Sequence, residues 1–329
     1  MYTYRSSPPN VAPAHSEINL ENRSRICATL FLSLFIAQGT SSLLPPNAHA
    51  QGDAGSGSIR DRLREKLGKE NPVNCTKFQI AGLETAVWKP ANTGKAPLVI
   101  FSHGFGGFAS QSGYIMRAMA NAGYLVIAVD HKDAHGSPET DYRPQVSFSK
   151  FKEWSDKTYI DRHDDIVKLI AALHADPTWN QRIDWTELAL CGHSLGGYTA
   201  LGLAGAWPSW KIPGVKAVIA LSPYTLPFTA TGALNKLQTP VLYQGGTKDF
   251  GITPFVKRPG GAYSQTSSPA YFVEFDQFNH FTWTNFNRDL EKQKEVNYYC
   301  IAFLDKYLRG KDAGRLSKKL PGVVEFQAK

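Results

Sequence analysis

Residues 189–198 read ALCGHSLGGY: an apolar run, a serine set between glycines, then a run suited to a helix. Two readings are open. One is a tight turn that happens to contain Ser194. The other is a turn built to hold the Ser194 hydroxyl clear of the backbone. Glycines two before and two after a serine leave room for a strained strand-to-helix elbow, with the hydroxyl exposed at the strand's end. Five residues of that pattern recur by chance, so the surrounding chain has to decide.

Working outward, the chain alternates. APLVIFSHG (96–104), YLVIAVD (124–130), ELALCGHS (187–194), VKAVIALSPY (215–224), TPVLYQGGTKD (239–249) and AYFVEFDQFNH (270–280) read as short apolar strands. Between them lie helical runs. Residues 161–177 carry Ile166, Leu169, Ile170 and Leu173 at helical spacing. A last helix from about Asp289 to Leu308 lines up Val296, Cys300, Phe303, Leu304, Tyr307 and Leu308, and Gly310 closes it. Continuous apolar strands alternating with helices predict an α/β fold, a mostly parallel sheet covered on both faces. Ligands bind such sheets beyond the C-terminal strand ends. That rim collects His103, Asp130, Ser194, Ser222, Asp249 and His280.

The flanks read differently. Arg23 and Arg25, the apolar ICATLFLSLFIA (26–37) and AHA ending at Ala50 form an export-signal pattern, too short to span a bilayer. The expected organisation is therefore a signal over 1–50, a linker and short helix over 51–71, and a catalytic domain over 72–329. Export would deliver the protein to the periplasm or medium, with no stable membrane insertion after cleavage. The formal net charge is +8, and loss of the three arginines and two glutamates before residue 51 leaves +7. The basic residues are scattered and not interleaved with aromatics, which argues against nucleic acid. Cys75, Cys191 and Cys300 remain after the signal. Cys191 reads as a buried thiol, and an oxidising compartment favours a Cys75–Cys300 bridge over three free thiols. No cofactor or metal is indicated.

A serine hydroxyl needs a base to accept its proton, and the base needs a carboxylate to orient it. In this architecture the order along the chain is Ser, acid, His. His280 is the one histidine after Ser194. Asp249, at a strand end, is the first choice of acid; Asp276, Asp289 and Asp130 are the alternatives. The oxyanion donors are expected to be the backbone N–H groups of Leu195 and of Phe105 in HGFGG (103–107), and His103 is expected to order that loop. Phe105, Phe108, Tyr224, Phe228, Phe281 and Trp283 flank the rim, and Phe105, Tyr224, Phe281 and Trp283 are the candidate substrate contacts. Core packing is the competing role for about half of these aromatics. The stretch from Tyr224 to Thr239 is too short for a large cap. The loop 131–158, with Tyr142, Phe148, Phe151 and Trp154, is placed to cover one side.

VIFSHGFGGFASQSGYIMRAMANAGYLVIAVDHKDAHGS (99–137) resembles the α/β-hydrolase superfamily, and within it the plasma-type platelet-activating-factor acetylhydrolases and their bacterial, dienelactone-hydrolase-like relatives. RIDWTELALCGHSLGGYTAL (182–201) and CIAFLDKYLRG (300–310) are similar to those relatives and to bacterial polyester hydrolases of the cutinase type. The resemblance runs from about 95 to 310. It implies a serine esterase acting on small or polymeric esters. One departure matters: the acetylhydrolases carry their acid after the strand that follows the nucleophile, where this chain has Ser222. Asp249 matches the position used by the dienelactone and polyester hydrolases. Acyl transfer, peptide cleavage and a non-catalytic binding role on the same fold are the alternatives, and the oligomeric state is not legible.

Overall fold

The computed structural model describes residues 75–329 apart from 139–142, 268 and 312. The expected signal (1–50), the linker and short helix (51–71) and Tyr142 lie outside the described residues.

The described chain builds one nine-stranded sheet. In chain order the elements are β1 (Cys75–Ile80), β2 (Leu83–Trp88), β3 (Ala96–Ser102), α1 (Gly113–Asn121), β4 (Leu125–Val129), α2 (Ile160–Ala175), β5 (Ile183–His193), α3 (Leu195–Leu201), β6 (Val215–Leu221), α4 (Leu226–Thr231), β7 (Val241–Gly246), β8 (Ala270–Phe275), α5 (Leu290–Arg309) and β9 (Val323–Ala328). The sheet order is β1-β2-β4-β3-β5-β6-β7-β8-β9. Strands β4 to β8 run parallel, with Ile100 of β3 paired to Ile127 of β4 on one side and Leu190 of β5 on the other. The chain therefore reverses its direction of winding at β3. The loops after β3 and β5 meet at that switch point, where α/β sheets open a crevice.

Both faces of the parallel strands are covered. Val99, Phe101, Val126, Ala128, Ala189 and Cys191 pack with α1 and α5, through Ile115, Met116, Met119, Val296, Cys300 and Phe303. The alternate residues Leu98, Ile100, Ile127 and Leu190 are buried as well, which is why these strands read as unbroken apolar runs. Helix α5 starts where Asp289 accepts from the N–H groups of Glu291 and Lys292, and it stops at Gly310 in the left-handed region at φ 62°.

Three strands escape the sequence reading: β1, β2 and β9, all antiparallel at the sheet's edges. β1 is partly exposed along most of its length, so it offers no apolar run. Its hairpin turns through Ala81 (φ 53°) and Gly82 (φ 75°), a pair of positive φ values suited to strand twist. The expected Cys75–Cys300 bridge is corrected: all three cysteines are free thiols. Cys75 opens an edge strand, whereas the Cys300 sulfur is buried in α5 and accepts from the Gln244 amide of β7 at 3.3 Å.

Candidate active site

Ser194 stands between β5 and α3 with φ 57° and ψ −118°. A non-glycine residue holds such a conformation only where its surroundings over-determine it. Here they do. The Ser194 N–H donates to Leu221 O, and its carbonyl accepts from Tyr224 N, both at 3.0 Å. A Cβ on Gly192 would lie 2.1 Å from Gly196 O, and one on Gly196 would lie 1.9 Å from Ser102 O. The flanking glycines exist because backbone meets backbone on both sides of the elbow.

Strand β8 ends at Phe275, earlier than the sequence suggests, and His280 sits five residues beyond in a loop. Its Nε2 is 3.0 Å from Ser194 Oγ. On the other side of the ring, Nδ1 lies 3.3 Å from Asp249 Oδ1. A closer oxygen intervenes: Ser222 Oγ is 2.7 Å from Nδ1 and donates to Asp249 Oδ2 at 2.6 Å. Thr253 Oγ1 donates to the same carboxylate oxygen at 3.0 Å. The structure thus brings Ser194, His280 and Asp249 together and adds Ser222. The other carboxylates are engaged elsewhere. Asp130 accepts from Ala109 N, Asp276 from Thr247 Oγ1, and Asp289 caps α5.

The loop after β3 lies against the elbow. A Cβ on Gly104 would come within 3.3 Å of Ser194 Cβ, so the backbone just before Phe105 runs against the elbow. His103 orders this loop. Its Nε2 accepts from His131 N at 3.0 Å, so Nδ1 carries the proton and donates to Gly104 O at 2.6 Å. Burial, then the Arg162 charge, lower this ring to about 4, which keeps it neutral. Arg162 is wholly buried. It donates to His103 O at 2.7 Å and Gly104 O at 3.4 Å, and forks onto Asp133 at 3.0 and 2.7 Å. Asp133 in turn accepts from Gly106 N at 3.3 Å. The sequence reading overlooks this pair, although a signal exists: Arg162 occupies the same buried stripe of α2 as Ile166, Leu169 and Leu173.

His193, next to Ser194 in the chain, donates from Nε2 to His280 O at 2.8 Å and accepts from Gln111 at Nδ1, 3.1 Å away. Burial, then the neighbouring His280 ring, hold it well below the ordinary imidazole range.

The aromatic candidates divide. Phe281 is half-buried beside the His280 ring, at 5.6 Å between centroids. Phe105 packs edge-on against Phe148 at 5.7 Å. Tyr224 is buried, with its hydroxyl donated to Phe148 O at 2.6 Å. The 131–158 loop therefore seals Tyr224 under Phe148 and Trp154, which leaves it a supporting position behind the rim. Trp283 is corrected outright: it is fully buried and donates to Gln244 Oε1 at 2.9 Å, so it belongs to the core. Phe228 is also core, stacked on Tyr198. Between Tyr224 and Thr239 the chain forms only α4 and a further single turn.

The model of a family described as serine aminopeptidase, S33, matches residues 94–250, from β3 to just past Asp249. With the elbow at the switch point, that match decides the architecture. The chain has the α/β-hydrolase fold. Among curated proteins, the chain is 27% identical to platelet-activating factor acetylhydrolase of Gallus gallus over 206 residues, covering 50% of this chain and 46% of that protein. It thus spans less than half the length of that relative. It is 24% identical to cutinase est1 of Thermobifida alba, covering 80% of this chain and 75% of the cutinase. It is 21% identical to bis(hydroxyethyl) terephthalate hydrolase of Streptomyces coelicolor, covering 86% and 80%. No helix among the described residues is long and apolar enough to cross a membrane.

Proposed function

We propose that the protein is an exported carboxylic ester hydrolase working through an acyl-enzyme. The observation that carries this reading is the contact of 3.0 Å between Ser194 Oγ and His280 Nε2, with the far side of the ring tied to Asp249. Ser194 attacks the ester carbonyl while His280 takes its proton. The Phe105 and Leu195 amides receive the oxyanion. His280 then protonates the leaving alcohol, and water, deprotonated by the same ring, releases the acid. The substrates are short to medium acyl or aromatic esters, including polyester and acetyl-phospholipid esters. The printed names of the relatives, a cutinase, a terephthalate ester hydrolase and an acetylhydrolase, support this class. The exposed flank beside Phe281 and the slight α4 segment suit a substrate that approaches from an open side.

Ser194→Ala should lower kcat on p-nitrophenyl butyrate by about 10⁴-fold or more and abolish labelling by a fluorophosphonate probe. Asp249→Asn should lower kcat by about 10²–10⁴-fold. A Ser194→Ala protein that keeps wild-type turnover refutes the assignment. Wild-type protein that takes no label would point instead to a binding role. The aminopeptidase description of the matched family favours a second reading, peptide cleavage on the same groups. Turnover of aminoacyl p-nitroanilides at rates matching the esters would select it. Export belongs to the same proposal, with cleavage after Ala50 and a catalytic unit over 72–329; the N-terminal sequence of secreted protein tests it.

A further inference from the structure

The proton order around His280 is set by which atoms can donate. Ser194 O–H donates to Nε2, so the neutral ring carries its proton on Nδ1. That N–H faces two oxygens, Ser222 Oγ at 2.7 Å and Asp249 Oδ1 at 3.3 Å. An N–H···O bond runs at about 2.7–3.2 Å, so the nearer hydroxyl is the principal acceptor. The Ser222 proton must then go elsewhere. Asp249 Oδ2 lies 2.6 Å away and, as a carboxylate oxygen, can only accept. One arrangement fills every position: Ser194 O–H to Nε2, Nδ1–H to Ser222 Oγ, and Ser222 O–H to Asp249 Oδ2.

The backbone supports this placement. Ser222 is fully buried and has φ 43°, in the left-handed region that few non-glycine residues adopt. Its N–H donates to Gln244 O at 2.8 Å, which pins it one residue past β6. Thr253 donates to the same carboxylate oxygen of Asp249 at 3.0 Å and helps fix it in place. A strained residue whose hydroxyl bridges acid and base is where strain and function coincide.

We infer that Ser222 is a positioning residue of the hydrolytic machinery: it couples the Asp249 carboxylate to His280 and fixes the ring's tautomer, so the relay runs through four side chains. This rests on the esterase reading above. When His280 takes the Ser194 proton on Nε2, the new positive charge strengthens the Nδ1–H to Ser222 bond, which in turn polarises Ser222 O–H toward Asp249. No proton leaves Ser222. The hydroxyl transmits the charge of the acid; it does not replace it.

Ser222→Ala and Ser222→Gly both remove the hydroxyl, and glycine suits the positive φ, so a loss shared by the two variants comes from the hydroxyl and not from backbone strain. On p-nitrophenyl butyrate, both should lower kcat by about 10–10²-fold, the value of one buried charge-assisted hydrogen bond, with KM unchanged. A hydroxyl that acts through the acid has little left to do once the acid is gone. Ser222→Ala/Asp249→Asn should therefore fall no more than about threefold below Asp249→Asn alone. Unchanged kcat in the two single variants, or losses that multiply in the double variant, overturns the inference. The Nδ1 proton gives a readout independent of substrate: its downfield NMR resonance should move in Ser222→Ala, and a resonance that stays in place also overturns it. Wild-type protein that neither hydrolyses esters nor takes a fluorophosphonate label would defeat the esterase proposal instead, leaving the NMR result to judge Ser222.

Discussion

Gly196 has no room for a methyl group, because the Ser102 carbonyl would lie 1.9 Å from it. Gly196→Ala should destabilise the fold by about 3 kcal/mol, read as a drop of roughly 6–12 °C in Tm. Local pattern reveals such residues: the glycines of the elbow and Ser194 itself stand together in ten residues of sequence. Trp283 shows where pattern fails. In the chain it is an aromatic three residues from His280, like Phe281 at one. In space the two part company, one in the core and one on the rim. Trp283→Phe should destabilise the protein by about 1–3 kcal/mol by leaving Gln244 Oε1 without its donor, with KM unmoved. Phe281→Ala should raise KM and leave Tm alone. Thermal melts and ester kinetics on the two variants separate the roles.

At the scale of elements, the parallel strands were legible because burial on both faces forces an unbroken apolar run, and the helices because burial on one face spaces apolar residues by three and four. The edges were not. β1 and β9 are partly exposed, and polar residues interrupt both, so neither presents an unbroken apolar run. Helix α2 does more than cover the sheet. Through Arg162 it holds the carbonyls of His103 and Gly104 in the loop after β3, which lies against the Ser194 elbow. Arg162→Met would leave Asp133 buried without its cation and should cost about 3–5 kcal/mol, measured by denaturant titration. Arg162→Met/Asp133→Asn should be less damaging than Arg162→Met alone, because no uncompensated charge remains.

Across the whole molecule, buried titratable groups make the fold acid-sensitive. His103 is lowered to about 4, and burial, followed by neighbouring charge, holds His131 and His193 well below the imidazole range. Each is neutral in the fold and binds a proton more readily once unfolded. Their contribution is present above the unfolded value of about 6.5 and is lost as pH falls below it. Asp133 adds a second window. Burial alone would raise it, but the charges and hydrogen bonds around it, Arg162 foremost, together outweigh burial and hold it at about 2; its contribution is present above the unfolded carboxylate value and lost as pH falls toward 2. Asp165, raised by burial to about 6, works the other way and gains a proton in the fold first. Asp161 is also raised by burial; three histidines against these two carboxylates predict a Tm that declines from pH 7 to pH 4. A flat profile over that range would contradict the buried neutral histidines.

The amino-acid sequence by itself determined the parallel sheet, the elbow with Ser194 at its tip, and the order of Ser194, Asp249 and His280 along the chain. Those features are written in neighbours and short periodicities, which local sterics and burial translate directly. Tertiary structure alone decided that Ser222 stands between acid and base, that Cys75 and Cys300 stay apart, and that Trp283 turns inward. Each depends on segments distant in sequence meeting in space: Ser222 is 27 residues from Asp249 and 58 from His280. No local pattern carries the position of an atom across such a separation; only the packed sheet does.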